Sequence, residues 1–197
     1  HGLFEWNNRK DRLIQEHHQF QKETQVDRYN LPNVVIAGVG HSDTTVVARM
    51  LERLGWHIQG ADQHAEHQEL RRINMNALSR TDSDFETVSQ IVDQIEALKE
   101  PWVIKEPRLS ELIPQYVAAL QKVQSTSECF RPPLLLWCIK RLDQVRDSHE
   151  KRGYSDFRVS VRWDKIREDF HLWPWWKFKL DVARLGEAIQ LHSKWSG

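Results

Sequence analysis

An octet near residue 40 has the residue types and spacing to hold an anion. Gly38-Val39-Gly40-His41-Ser42-Asp43-Thr44-Thr45 follows the apolar run Val34-Val35-Ile36-Ala37 and opens an amphipathic segment. Glycines let a backbone turn back tightly, and the amides freed by such a turn, with the positive end of the helix behind it, face an anion. The hydroxyls of Ser42, Thr44 and Thr45 are further donors. Phosphate is the guest this chemistry predicts. Two further groups bear charge: Lys105-Glu106-Pro107-Arg108, and Lys140 with Ser148 eight positions on.

Known nucleotide loops limit the choice. A Walker A loop would need glycine at Asp43 and lysine at Thr44, which disfavours an ATPase, a GTPase or a small kinase. A dinucleotide fingerprint is incomplete, because Asp43 stands where its third glycine belongs. The bland alternative is an ordinary strand-to-helix turn with Ser42 or Asp43 as N-cap.

The loop has to be held by a strand before it and a helix after it. Val34–Ala37 reads as a strand buried on both faces. In Thr44–Leu54 the apolar side chains are Val46, Val47, Met50, Leu51 and Leu54, and Gly55 ends the helix. Residues 60–80 are polar and helical in part. Thr81-Asp82-Ser83 offers N-cap oxygens to a helix whose face is Phe85, Val88, Ile91, Val92, Ile95 and Leu98. Trp102–Lys105 reads as a second strand, Leu112–Leu120 as a helix, Leu134–Ile139 as a third strand after Pro132-Pro133, and Asp143–Arg152 as a helix ended by Gly153. Phe157–Arg162 alternates like an edge strand, and 163–197, with Trp173, Trp175 and Trp176 around Pro174, reads as a helical tail. Asp11–Lys22 reads as a peripheral amphipathic helix within an N-terminal segment, 1–30. Strand and helix alternate, the pattern of a parallel sheet. The 197 residues fit one domain, since a chain of this size buries roughly 70% of its unfolded surface around a single core.

The octet resembles the 5′-phosphosulfate loop of the sulfotransferases, Gly-x-x-Arg/Lys-Ser-Gly-Thr-Thr/Ser, with Gly38, Ser42, Thr44 and Thr45 matching. Val47–Gly55 looks like the helix behind that loop in bacterial members, and Trp102–Leu109 is similar to their Lys-Asp-Pro-Arg-Leu segment. Lys140 and Ser148 have the spacing of the basic residue and serine that reach the donor's 3′-phosphate in that family. The resemblance spans about residues 34–153. It implies a three-layer P-loop-type α/β domain with a central, mainly parallel β-sheet flanked by helices. It also implies an enzyme that moves a sulfuryl group from 3′-phosphoadenosine 5′-phosphosulfate to a hydroxyl or amine of a small-molecule or glycan acceptor, with no metal, and the cysteine usage puts the expected location in the cytoplasm.

By the family's pattern Gly38, Gly40, His41, Ser42, Asp43, Thr44 and Thr45 would hold the 5′-phosphosulfate. His41 and Lys105 would bring positive character to the transferring group, and Lys140 and Ser148 would take the 3′-phosphate. The acceptor needs a base, either Glu106 or a histidine within 57–67. His41 stands where the family has Arg or Lys, Asp43 where it has glycine, and Lys140 where it has arginine. Asp43 beside a phosphate has to point away or be paired, because like charges about 4 Å apart cost about 1 kcal/mol even in water. A degenerate loop that binds nucleotide without transfer is the second function these residues allow.

Other residues read more plainly. Twenty-eight basic residues balance 28 acidic ones, so no overall field draws nucleic acid or an anionic membrane. The basic run Lys140, Arg141, Arg146, Lys151 and Arg152 is interleaved with Asp143, Asp147 and Glu150, which makes a solvated face. Among His57, His64 and His67, positions 64 and 67 share a helical face with Glu66 near, but nothing specifies the third ligand and supporting shell of a zinc site. Cys129 and Cys138 have no metal-ligand spacing and fit a reducing compartment. Trp163, Trp173, Trp175 and Trp176 read first as core packing and second as an acceptor pocket. No apolar run approaches the ~20 residues of a membrane span, so a soluble protein is expected. Oligomeric state leaves no mark in the sequence.

Overall fold

The computed structural model describes residues 31–39, 43–151 and 157–181, without the side chains at 142, 149 and 157–160. The chain divides into two units, His1–Leu31 and Pro32–Gly197, and all described residues but Leu31 belong to the second. The helix expected at Asp11–Lys22, and the tail beyond 181, lie outside the described residues.

The second unit is α/β. Strand β1, Val34–Ala37, leads to helix α1, Thr44–Arg53, then α2, Gln68–Leu78, and α3, Asp84–Glu96. Strand β2, Val103–Lys105, runs into a 3-10 turn, Pro107–Glu111, and helix α4, Ile113–Thr126. Strand β3, Leu134–Ile139, is followed by α5, Leu142–Glu150, and α6, Phe157–Asp169, and strand β4, Lys177–Asp181, comes last. The four strands form one sheet in the order β2-β1-β3-β4, parallel throughout.

β1 is buried on both faces, as its unbroken apolar run requires. Val35 and Ala37, with Ile104, Leu135 and Trp137, pack on one side against Leu70 and Ile73 of α2, Ile91 and Ile95 of α3, Tyr116 and Leu120 of α4, and Ile166 of α6. Val34 and Ile36, with Val103 and Cys138, pack on the other against Val47 and Ala48 of α1. α3 begins where the sequence predicts, with Ser83 Oγ accepting from the Glu86 amide at 3.2 Å. Phe85 does not join its buried face and is 82% exposed, because it sits in the first turn, ahead of the stretch that meets α4. Cys138 is buried and Cys129 exposed. No helix among the described residues is long and apolar enough to cross a membrane.

Three expectations are corrected. The helix read as Leu112–Leu120 runs on to Thr126, its face continued by Val123. Phe157–Arg162 is not a strand but the first half of α6. Its short alternation gives way to Trp163, Ile166 and Phe170, spaced by three and four and all packed inward. The tail is not wholly helical either: Lys-Phe-Lys-Leu-Asp at 177–181 is β4, registered on β3 from Leu135↔Lys177 to Ile139↔Asp181.

β1 has β2 on one side and β3 on the other, so the chain goes from β1 to β2 and then passes back across β1 to β3. In open parallel sheets, the carboxyl ends of the strands at such a reversal enclose the crevice where ligands bind. By that rule such a crevice is expected beyond Ala37 and Ile139. The opposite, amino-terminal end is closed by Asn33, whose Nδ2 donates to Glu100 Oε1 at 2.9 Å and whose Oδ1 accepts from the Trp102 amide at 3.1 Å.

Candidate functional site

Gly38 follows β1, and Ser110 of the 3-10 turn holds it at both its amide and its carbonyl. The Gly38 amide donates to Ser110 Oγ at 3.0 Å, and Ser110 Oγ donates to the Gly38 carbonyl at 3.1 Å. The first amide of the loop is therefore taken up by the protein rather than offered to an anion. Gly40, His41 and Ser42 lie outside the described residues. The loop is described again at Asp43, the N-cap of α1, which has φ 56 and ψ 20. Left-handed backbone favours glycine, and Asp is among the few other residues that tolerate it.

The Asp43 side chain does not cap α1. Its Oδ2 accepts from Lys140 Nζ at 2.9 Å, across 97 residues of sequence. The carboxylate expected to point away or be paired is paired, and its partner is the lysine assigned to a 3′-phosphate. Thr44 is buried at the start of α1, and Thr45 Oγ1 donates to the His64 carbonyl at 3.1 Å. Ser148 lies half-buried on α5. Arg141 turns aside to an exposed pair with Asp143, which holds the Asp143 carboxyl below its ordinary range.

Lys105 ends β2 and Glu106 caps the 3-10 turn after it, and neither side chain is open to solvent. Lys105 is 3% exposed, and its Nζ donates to Glu66 Oε1 at 3.0 Å and to the His64 carbonyl at 3.0 Å. Its charge is thus directed to the 61–67 segment. Glu106 is 0% exposed. Its Oε2 accepts from Asn74 Nδ2 at 2.7 Å and from the Arg108 amide at 2.9 Å, while Oε1 is paired with Arg108 Nη1. Burial raises its pKa and the Arg108 charge opposes the rise. The sequence offered Glu106 as a base or as a surface carboxylate paired with Lys105 or Arg108. The structure gives it the Arg108 partner, deep inside the protein.

Asn74 and Tyr116 carry no signal in the sequence. Tyr116 is fully buried in the core, and its hydroxyl donates to Asn74 Oδ1 at 3.1 Å. Burial first, and the Glu106 charge second, push that phenol above its ordinary value. Ser110 and Glu66 are equally silent. Their partners lie 72 and 39 residues away, a distance at which local pattern says nothing.

The histidines do not converge. His57 forms a bridge with Trp102. His67 is buried as the N-cap of α2, its Nδ1 accepting from the Leu70 amide at 3.3 Å, and burial lowers its pKa. No group of three His, Cys, Asp or Glu side chains that could hold a metal occurs among the described residues. Of the tryptophans, Trp173 is core and donates to the Pro133 carbonyl at 3.2 Å. Trp163 packs on Trp137, edge to face. Trp175 and Trp176 line an apolar groove of about 740 Å³ with Pro32, Pro132, Leu134, Pro174 and Phe178, at the amino-terminal end of the sheet.

Comparison with models of protein families, with curated proteins and with solved structures finds no match to this chain.

Proposed function

We propose that this chain is a sulfotransferase of the P-loop type, taking 3′-phosphoadenosine 5′-phosphosulfate as donor and a hydroxyl or amine as acceptor. The observation that carries the reading is the contact between Lys140 and Asp43 at 2.9 Å. It joins the carboxyl end of β3 to the N-terminus of α1 across the crevice, so the two sequence segments that resemble the two phosphate-binding elements of the family meet in space. Sulfuryl transfer leaves negative charge on the departing bisphosphate, and fixed donors stabilise it. The positive end of α1, the Thr44 hydroxyl, His41 and Lys140 are the donor set for that charge, with Ser148 beside the 3′-phosphate, and Thr45 joins them on giving up its bond to the His64 carbonyl. Lys140 is 22% exposed and Asp43 43%, so an arriving phosphate competes with a carboxylate already half in water.

A second reading has its own observation. Lys105 donates to Glu66 and to the His64 carbonyl, and Glu106 is sealed, so the catalytic residues expected at Lys105 and Glu106 are both engaged within the protein. A nucleotide-binding module without transfer fits that arrangement. Calorimetric titration with adenosine 3′,5′-bisphosphate, against ADP and ATP, tests the shared part. Selective micromolar binding, about −8 kcal/mol, supports a donor site, and no binding to any of the three removes both readings. Release of labelled sulfate from the donor to an acceptor panel then divides enzyme from binder. In an enzyme, His41→Arg raises an existing transfer rate.

A further inference from the structure

Glu106 is a costly residue to bury. A carboxylate withdrawn from water loses several kcal/mol of solvation, and a buried pair seldom returns more than that in stability. Three donors converge on it, and they form one chain that starts in the core. Tyr116, fully buried, fixes the amide of Asn74 by donating to its Oδ1, which turns Nδ2 toward Glu106. Glu106 then binds Arg108 twice, at its backbone amide and at Nη1. The chain ends in a guanidinium that is 22% exposed.

Arginine has five N–H donors in a planar fork, and Glu106 takes only one of them. Among the described residues, no other group accepts from Nε or Nη2. Arg108 also stands two residues from Ser110, whose hydroxyl clasps Gly38, so its turn is fastened to the loop after β1. We propose that Tyr116, Asn74 and Glu106 are positioning residues that hold Arg108 as a fork-shaped receptor for a tetrahedral oxyanion at the carboxyl end of β2, distinct from Lys140. Planar two-point recognition of this kind suits sulfate or phosphate groups and is beyond a lysine. The oxyanion comes either from the donor's sulfuryl group or from an anionic group on the acceptor, and in its link to the nucleotide the inference rests on the function proposed above.

The probe is inorganic sulfate, followed by the Arg108 Nε–H resonance and by calorimetry. Wild-type protein should show a saturable shift of that resonance, and Lys140→Ala should leave it intact. Arg108→Ala alone strands a buried charge and risks the fold, so the deciding variant is Glu106→Gln/Arg108→Gln, which removes both charges and keeps the shape of the buried Glu106 side chain. It should lose at least tenfold in sulfate affinity while unfolding cooperatively. Arg108→Lys, which keeps the charge without the fork, should lose about fivefold. Tyr116→Phe should broaden the Arg108 resonance, a change that mere loss of core packing would not produce.

No sulfate binding by the wild type, or equal binding by the double variant, overturns the proposal. Equal binding by Arg108→Lys overturns the fork. If sulfate binds through Arg108 and adenosine 3′,5′-bisphosphate does not bind, the nucleotide reading falls and the oxyanion site stands. If the bisphosphate binds and sulfate does not, the oxyanion site falls and the nucleotide reading stands. Sulfate that still binds beside the bisphosphate but not beside the intact donor marks the sulfuryl position, and sulfate that binds beside both marks the acceptor.

Discussion

The two ends of the parallel sheet are built to opposite rules. At the amino-terminal end, polar groups are used up within the protein. Asn33 closes on Glu100 and the Trp102 amide, Trp56 Nε1 donates to the Pro32 carbonyl at 2.7 Å, and Trp173 Nε1 donates to the Pro133 carbonyl. Apart from the pair of Arg131 with Glu100, what remains there is largely proline and aromatic surface. At the carboxyl end, Asp43, Lys140, Lys105, Glu66, Glu106 and Arg108 crowd around the ends of three adjacent strands. Apolar packing gives stability at low cost, whereas buried charge gives little. The most deeply buried ion pairs lie at the carboxyl end, and the other end is held chiefly by apolar packing.

If that division is right, the largest stability losses come from the apolar end and leave anion binding alone. Trp173→Ala should cost about 4 kcal/mol in urea or guanidinium unfolding, the range for a buried tryptophan, with nucleotide affinity unchanged in the folded fraction. A matching loss of affinity would break the division. Arg108→Ala should cost about 3 kcal/mol, because it leaves Glu106 buried and unpaired, and the double glutamine variant should recover most of that.

The charged end should also answer to pH. Because burial raises the pKa of Glu106, the folded state holds its proton more tightly than the unfolded chain. Its contribution to stability is therefore fully present below the ordinary value of 4.5 and is lost as pH rises through the raised one. Unfolding followed from pH 4 to 7 should show this decline in the wild type and not in the double glutamine variant.

A smaller effect is expected at Asp43. Asp43→Gly suits the left-handed backbone, worth about 1 kcal/mol, and gives up a half-exposed ion pair worth less than about 1 kcal/mol, so stability should hardly move. Removing a like charge next to the anion should still tighten adenosine 3′,5′-bisphosphate about tenfold, since about 1.4 kcal/mol suffices. Unchanged affinity would mean that the phosphate does not meet Lys140. Least of all, Trp176→Ser on the exposed apolar rim should change stability by no more than about 0.5 kcal/mol.

Much of the frame was legible because it depends on local pattern. β1, β3, α1 and α3 follow from apolar runs, a three-and-four spacing and Ser83. The failures have particular causes. Phe157, Val159 and Val161 alternate by chance within a helix, whose inward residues Trp163 and Ile166 are three apart. β4 has a strand's alternation, but three tryptophans just before it suggested a helical tail. At the site, sequence identified Asp43 and Lys140 and required Asp43 to point away or be paired, yet it could not tell that each was the other's partner. Asn74, Ser110 and Tyr116 were invisible, since an asparagine in a helix or a tyrosine on an apolar face has no meaning until folding brings a carboxylate beside it.

The two cysteines make the molecule its own stopwatch. Cys129 is exposed, while Cys138 lies in β3 with its thiol pushed up to about 12 by burial and, secondarily, by Asp43. A thiolate is the species that alkylates, so one sulfur reacts at once and the other waits until its strand leaves the sheet. The interval between the first adduct and the second, read by mass, is the time the sheet stays shut. A ligand seated across the crevice that spans β1 and β3 should lengthen it.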